Sequence, residues 1–156
     1  MTADQDIRHL ILSLLQGFYW FDEGLQNYLR AKGWPAVTRP QSMVMANVVL
    51  GFRRPSDIAR NMDVSRQAIH ATISQMVKLG MLALLDDPTN RRVKLLTMTP
   101  LGEQMRADAQ QAMVVIADEL GRRVGRAQLL KTAHLLDVDW GPPLTFPKPP
   151  TGKQPS

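Results

Sequence analysis

Ser56-Asp57-Ile58-Ala59-Arg60-Asn61-Met62-Asp63-Val64-Ser65-Arg66-Gln67-Ala68-Ile69-His70-Ala71-Thr72-Ile73-Ser74-Gln75-Met76 is the stretch on which the fold turns. Pro55 and Ser56 open a short helix, and Asp63-Val64-Ser65 leaves room only for a tight turn. Ser65 suits the cap of the next helix, because its hydroxyl can accept an unpaired backbone N–H of the first turn. That helix is expected from Arg66 to Leu79, with Ala68, Ile69, Thr72, Ile73 and Met76 on its inner face. Gly80 supplies its C-terminal stop. With small Ala59 at the crossing, the pair reads as a helix-turn-helix.

Downstream lie two β-like runs, Met81–Leu85 and Val93–Met98, separated by Asp86-Asp87-Pro88-Thr89-Asn90-Arg91-Arg92. That turn composition is too polar to bury, so the expectation is a hairpin with a basic tip. Thr99-Pro100 then starts a long helix whose stripe is Leu101, Met105, Ala109, Ala112, Ile116 and Leu120. A last helix covers Ala127–Leu136, and the proline-rich tail from Pro142 is expected to be disordered. Upstream, Ile7, Leu10, Ile11, Leu14, Leu15, Phe18, Leu25, Tyr28 and Leu29 recur at helical steps until Lys32-Gly33 ends the run. Trp34-Pro35 forces an extended link, since a residue before proline avoids the helical region. Thr38, with Pro40 just beyond it, starts a second helix carrying Val44, Met45 and Val48, and Gly51 stops it.

The chain of 156 residues is 44% hydrophobic and 21% charged, which excludes wholesale disorder. It has no cysteine, which excludes disulfides, thiolate metal sites, thiol nucleophiles and thiol redox sensing. No apolar run approaches the roughly 18 residues of a membrane span. The N-terminus is acidic where a signal peptide would be basic, so a cytoplasmic protein is expected. His9, His70 and His134 lack metal-ligand spacing. With no phosphate loop, nucleophile elbow or spaced carboxylate pair either, no catalytic residue, metal or cofactor is expected. The net charge is +5, and residues 51–100 alone hold eight Lys or Arg against four Asp. Such a local excess suits a polyanion partner, although a solvated surface would look the same by charge alone.

The stretch from Pro55 to Gly102 resembles the multiple-antibiotic-resistance-regulator (MarR) family of bacterial repressors. The resemblance rests on Ile58-Ala59, Val64-Ser65-Arg66-Gln67-Ala68, Gly80-Met81-Leu82, Asp87-Pro88-Thr89-Asn90-Arg91-Arg92 and Leu96-Thr97-Met98-Thr99-Pro100-Leu101-Gly102. Thr38 and Gln41 fit it at the second helix, and with the flanking helices it extends to Trp140. It implies a mainly α winged helix-turn-helix with a small β-hairpin wing, dimerising through its N- and C-terminal helices. The expected division is a dimerisation helix at 1–34, a DNA-binding lobe at 35–100, further dimerisation helices at 101–140 and a tail at 141–156. The implied function is sequence-specific transcriptional regulation, as a homodimeric repressor on a pseudo-palindromic DNA operator, released by a small molecule. An architectural DNA-binding protein of low specificity and a protein-interaction module are the alternatives.

The candidate DNA contacts are Arg54, Ser56, Ser65, Arg66, Gln67, His70, Ala71, Ser74, Arg91, Arg92 and Lys94. Arg can bond guanine or phosphate and Gln can pair with adenine, so the start of the second motif helix suits base reading. The resemblance places at least one of Arg91 and Arg92 in the minor groove. Asn90 stands where the family more often carries an Asp paired with a wing arginine; Asn can hydrogen-bond but cannot form that ion pair. Tyr19, Trp20, Trp34, Met43 and Met45 read by themselves as core or dimer packing. The resemblance instead implies an effector pocket that includes Tyr19, Trp20, Trp34, Arg39 and Met43, where Arg39 would face a carboxylate; equally, Arg39 could contact a phosphate or nothing. A reversible aromatic or carboxylate-bearing effector is expected. Finally, Leu10, Leu14 and Phe18 with Met105, Ala112 and Ile116 form the expected dimer seam. Pairing two copies there sets the recognition helices about one DNA turn apart.

Overall fold

The computed structural model describes residues 9–147. Its elements are α1 (Leu10–Ala31), α2 (Arg39–Val49), α3 (Pro55–Asn61), α4 (Arg66–Lys78), β1 (Leu82–Asp87), β2 (Asn90–Met98), α5 (Pro100–Val124) and α6 (Arg126–Asp137). Ile7 and the tail beyond Pro147 lie outside the described residues, and Gly141–Pro147 carries no helix or strand. The order is that of a mainly α winged helix. Among the described residues, no helix is long and apolar enough to cross a membrane.

The chain forms two compact units, one through Glu119 and one from Leu120 onward. In the first, Val44 of α2, Ile58 of α3, Ile69, Ile73 and Met76 of α4, Leu82 of β1 and Leu96 of β2 are fully buried. Burying each such side chain contributes about 1.5–3 kcal/mol. Leu29 of α1 and Met105 of α5 belong to the same core. Packing therefore joins α1 and the first part of α5 to the lobe at 35–100, because their inner residues complete a core that the lobe alone leaves open. In the second unit α6 exposes Leu130, Leu135 and Leu136.

Local chemistry explains the joints. Thr38 and Gln41 form a capping box, with the Thr38 N–H donating to Gln41 Oε1 at 2.9 Å. Between α3 and α4 the chain turns on Asp63, whose φ of +51° is the left-handed conformation. This lets the Val64 N–H reach the Ala59 carbonyl at 3.0 Å and reverses the chain within three residues. Ser65 Oγ accepts from the Ala68 N–H at 3.1 Å, as its cap role requires. At the base of the hairpin, Thr99 Oγ1 donates to the Gly80 carbonyl and accepts from the Gly102 N–H at 3.0 Å. A Cβ on Gly102 would lie 2.1 Å from the Met81 carbonyl oxygen, so only glycine lets α5 start against β1.

Four expectations are corrected. Ala68 is exposed, because it sits in the capped first turn of α4, before the helix reaches the core. The wing strands run further than Met81–Leu85 and Val93–Met98: β1 reaches Asp87 and β2 begins at Asn90, with an irregularity at Asp86/Asp87. Asp87, expected in an exposed turn, is 5% exposed and finds partners in Thr89 of the turn and Arg54 before α3. Met105, Ala112 and Ile116 do not form an outer seam. All three are buried within the protomer, Ile116 against the space left by Gly24. A helical stripe reveals an apolar face but not what covers it.

Candidate nucleic-acid interface

The helix-turn-helix directs one row of α4 outward. Ile69, Ile73 and Met76 at helical spacing fix the buried face, so the residues between them must face away. Ser65, Arg66, Gln67, His70, Ala71 and Ser74 are all exposed. Ser65 already caps the helix. Among the described residues, the side chains of Arg66, Gln67, His70 and Ser74 make no hydrogen bond or ion pair. The row thus offers a guanidinium, an amide, an imidazole and a hydroxyl beside small Ala71, a set that can address base edges. The far end of α4 is held from inside, where buried Gln41 of α2 donates to Gln75 Oε1 at 3.0 Å. A buried amide bonded at both ends positions one helix on another. In the sequence Gln41 stands out only as part of the family resemblance at the second helix; neither its part in the cap nor its reach to α4 is marked there.

The three cations of the wing and the neighbouring Arg54 fall into two kinds. Arg54, just before α3, lies 3.3 Å from Asp87 Oδ2, and Lys94 pairs with Asp86 across the strands. Arg91 and Arg92 are exposed and make no ion pair among the described residues. Asp87 also accepts from the Thr89 hydroxyl at 2.6 Å and the Thr89 N–H at 2.8 Å. These Thr89 bonds, with Arg54 adding to them, hold the Asp87 carboxyl below its ordinary pKa. Asn90 Oδ1 accepts from the Arg92 N–H at 3.1 Å, so it orders the tip through the backbone. A different ion pair, between Asp87 and Arg54 just before α3, fastens the base of the turn. Ser56 is exposed in the first turn of α3.

One strand of the wing has a partner that sequence reasoning missed. The Leu96 N–H donates to the Arg53 carbonyl at 2.7 Å, and Arg53 Nε donates to the Leu96 carbonyl at 3.1 Å. Residue 53 thus grips β2 along its free edge, and residue 54 grips the wing at Asp87.

No family model and no curated protein matches the chain. Solved structures do. YusO from Bacillus subtilis is 22% identical with a TM-score of 0.58, over 87% of this chain and 95% of that one. Wild-type MarR from E. coli is 19% identical with a TM-score of 0.65, over 81% of this chain and 93% of that one. The chain has the MarR winged-helix fold. A mutant MarR from E. coli complexed with operator DNA also shares it, at 18% identity and a TM-score of 0.63, over 87% of this chain and 96% of that one.

The five residues that the MarR resemblance implies for an effector pocket are not gathered into one cavity. Arg39 lies 2.8 Å from Asp22 and stacks over the Tyr19 ring, 4.4 Å from its centroid. Trp34 Nε1 donates to Asp108 Oδ2 at 2.8 Å, tying the end of α1 to α5. Met43 is exposed. Trp20 lines an open groove with Gly24, Asn27 and Val115. A separate cavity of about 390 Å³ is formed by α1, α2, β2 and α5, and none of the five lines it. Its walls include Leu25, Met45, Val49, Met98, Met105 and Met113. These residues come from four elements, so no local sequence pattern marks them.

Proposed function

We propose that this protein is a member of the MarR family: a homodimeric, sequence-specific DNA-binding repressor whose operator is pseudo-palindromic, released by a small molecule. The observation that carries this reading is the outward row of α4. Four polar side chains there have no partner among the described residues, while the opposite face of the same helix is fully buried. The exposed Arg91 and Arg92 of the wing support the reading, as does the fold shared with a MarR bound to operator DNA. On this account α4 enters the major groove, Arg66, Gln67, His70 and Ser74 address base edges, and Ser65 and Ser56 contact the backbone. Arg91 and Arg92 bind phosphate or the minor groove. Arg54 and Lys94 shape the wing, because their charges are already matched.

The homodimer is supported by the apolar residues that the first unit leaves open, Leu10, Ile11, Leu15 and Phe18 of α1. An exposed apolar row of this size is a liability unless a partner covers it. Release by a small molecule is supported by the apolar cavity bounded by both α2, which supports α4 through Gln41, and β2, which forms the wing.

Selection of bound duplexes from a random pool at fixed salt tests the function. An inverted repeat with half-sites about one helical turn apart is expected. Recovery of sequences with no shared pattern would mark an architectural protein, and no recovery an interaction module. Sedimentation of Ile11→Glu combined with Leu15→Glu tests the dimer: a folded monomer is expected, and an unchanged dimer refutes that seam.

A further inference from the structure

We propose that Arg39, Gln41 and Ser42, in the first turn of α2, form a positioning joint that carries the setting of α1 to α4 and so fixes the half-site spacing that the dimer accepts. This rests on the homodimeric regulator reading above and names the residues that hold its recognition helices in register. One stripe of α1 supplies the input. Ile11, Leu15, Phe18, Asp22, Gln26 and Leu29 recur at three- and four-residue steps, so they share one face of the helix. The first three are exposed, Asp22 and Leu29 are buried and Gln26 is half-buried. The face offered to a second copy near the start of α1 therefore runs straight on into the contacts with α2.

Two polar bonds fasten that stripe. Arg39 Nε donates to Asp22 Oδ2 at 2.8 Å, and Gln26 Nε2 donates to Ser42 Oγ at 2.9 Å. The spacings match: Asp22 and Gln26 stand four apart on α1, Arg39 and Ser42 three apart on α2, each pair on one side of its helix. Gln41 lies about 100° around α2 from Ser42 and turns to the other neighbour. Its Nε2 donates to Gln75 Oε1 of α4 at 3.0 Å, while its Oε1 accepts the Thr38 N–H at 2.9 Å. One turn of α2 is thus bonded to α1 and to α4 at once. The apolar core that these helices share supplies stability but little register, because apolar contact is non-directional. Hydrogen bonds weaken steeply with misalignment, so they set the rotation of each helix. Residue 75 adjoins Ser74 of the outward row, and where Gln41 holds it decides which way that row points.

Anisotropy titration of three duplexes tests the joint: the selected operator, and versions with one base pair inserted or removed between half-sites, which shifts them by about 3.4 Å and turns them by about 35°. The proteins are the native chain, Gln75→Met, Gln75→Glu, Arg39→Met with Ser42→Ala, and all three of these losses combined. Gln75 only accepts the bond from Gln41, so glutamate keeps it and methionine loses it. The native chain and Gln75→Glu should prefer the selected spacing by about tenfold, the factor that one misplaced base contact carries. Gln75→Met and the Arg39/Ser42 variant should fall to within about threefold, each keeping its base preferences inside a half-site. The combined variant should lose no more than either alone, because the bonds act in series. Variants that weaken all three duplexes alike would mark these bonds as structural support only and overturn the proposal, as would a native chain indifferent to spacing.

A readout without DNA separates the joint from the regulator reading. The chain has no cysteine, so spin labels at Gln16→Cys of α1 and Lys78→Cys of α4, both exposed, are site-specific. With unlabelled chain in excess, the distance distribution within one protomer should be narrow in the native background and in Gln75→Glu. It should broaden in Gln75→Met and in the Arg39/Ser42 variant. Unchanged distributions overturn the joint even where an inverted repeat is recovered. Broadened distributions with no inverted repeat recovered defeat the regulator reading and leave the joint between α1 and α4 standing.

Discussion

Arg91→Ala combined with Arg92→Ala should remove a defined part of the electrostatic attraction to DNA, and the structure sets its size. Arg54 and Lys94 are matched by Asp87 and Asp86 and Arg53 is bonded to Leu96 of β2, which leaves Arg91 and Arg92 at the tip. A dimer presents both wings, hence four such guanidinium groups. Each phosphate contact contributes about 0.9 to the slope of log affinity against log salt, so losing four lowers its magnitude by about 3.6. If one arginine per wing sits in the minor groove and touches no phosphate, the loss is about 1.8. Between 50 and 200 mM salt the advantage of the native protein over the variant should then shrink by roughly 10- to 150-fold. Lys94→Ala should change the slope by less than about one unit, because Asp86 already cancels that charge. Fluorescence anisotropy on one duplex across a salt series measures all three proteins. An unchanged slope in the double variant, or an equal change in Lys94→Ala, would refute the division of wing cations.

Three further outcomes test the joints. Gly102→Ala should destabilise by about 2–4 kcal/mol in urea titration, because displacing α5 from the Met81 carbonyl breaks the Thr99 bonds, and the gain of about 1 kcal/mol in helix propensity does not offset this; a stabilised variant contradicts the geometry. Asp63→Gly should stabilise by about 0.5–1 kcal/mol, since glycine adopts the left-handed conformation without the Cβ conflict, and a loss would show that the Asp63 side chain matters at the turn. The Asp87 carboxyl is held below its ordinary value, so its contribution to the wing is complete above the usual carboxylate pKa near 4 and vanishes as pH falls through the lowered native value. Hydrogen exchange of wing amides should therefore accelerate in that acid window while α4 stays protected, and Asp87→Asn should abolish the pH dependence.

What could be read from the chain alone follows a physical division. The helix-turn-helix was legible because each of its signals is local: the Ser65 cap, the spacing of Ile69, Ile73 and Met76, and the stop at Gly80. The outward row followed by subtraction. At the wing tip polarity does not mean exposure. Asp87 carries enough partners in Thr89 and Arg54 to lie buried, and the Asp86–Lys94 pair lengthens the strands. The aromatic residues near the first two helices suggested one pocket, but proximity in sequence disperses around a helix: Tyr19 meets Arg39 while its neighbour Trp20 lines another groove. Trp34 finds its partner 74 residues away. The cavity needs Leu25, Met45, Met98 and Met105 at once, an arrangement of tertiary packing with no local signature. For the same reason the seam through Met105, Ala112 and Ile116 could not be told from core.

Whether the outward row of α4 reads base identity is decided by binding of Gln67→Ala and His70→Ala to a panel of single-base variants of the selected duplex. Each substitution should relax discrimination at one position in each half-site, by the roughly 1–3 kcal/mol that a good two-bond base contact carries, and leave the salt slope unchanged. Uniform loss of affinity across the whole panel, with every base preference retained, would contradict base reading by α4.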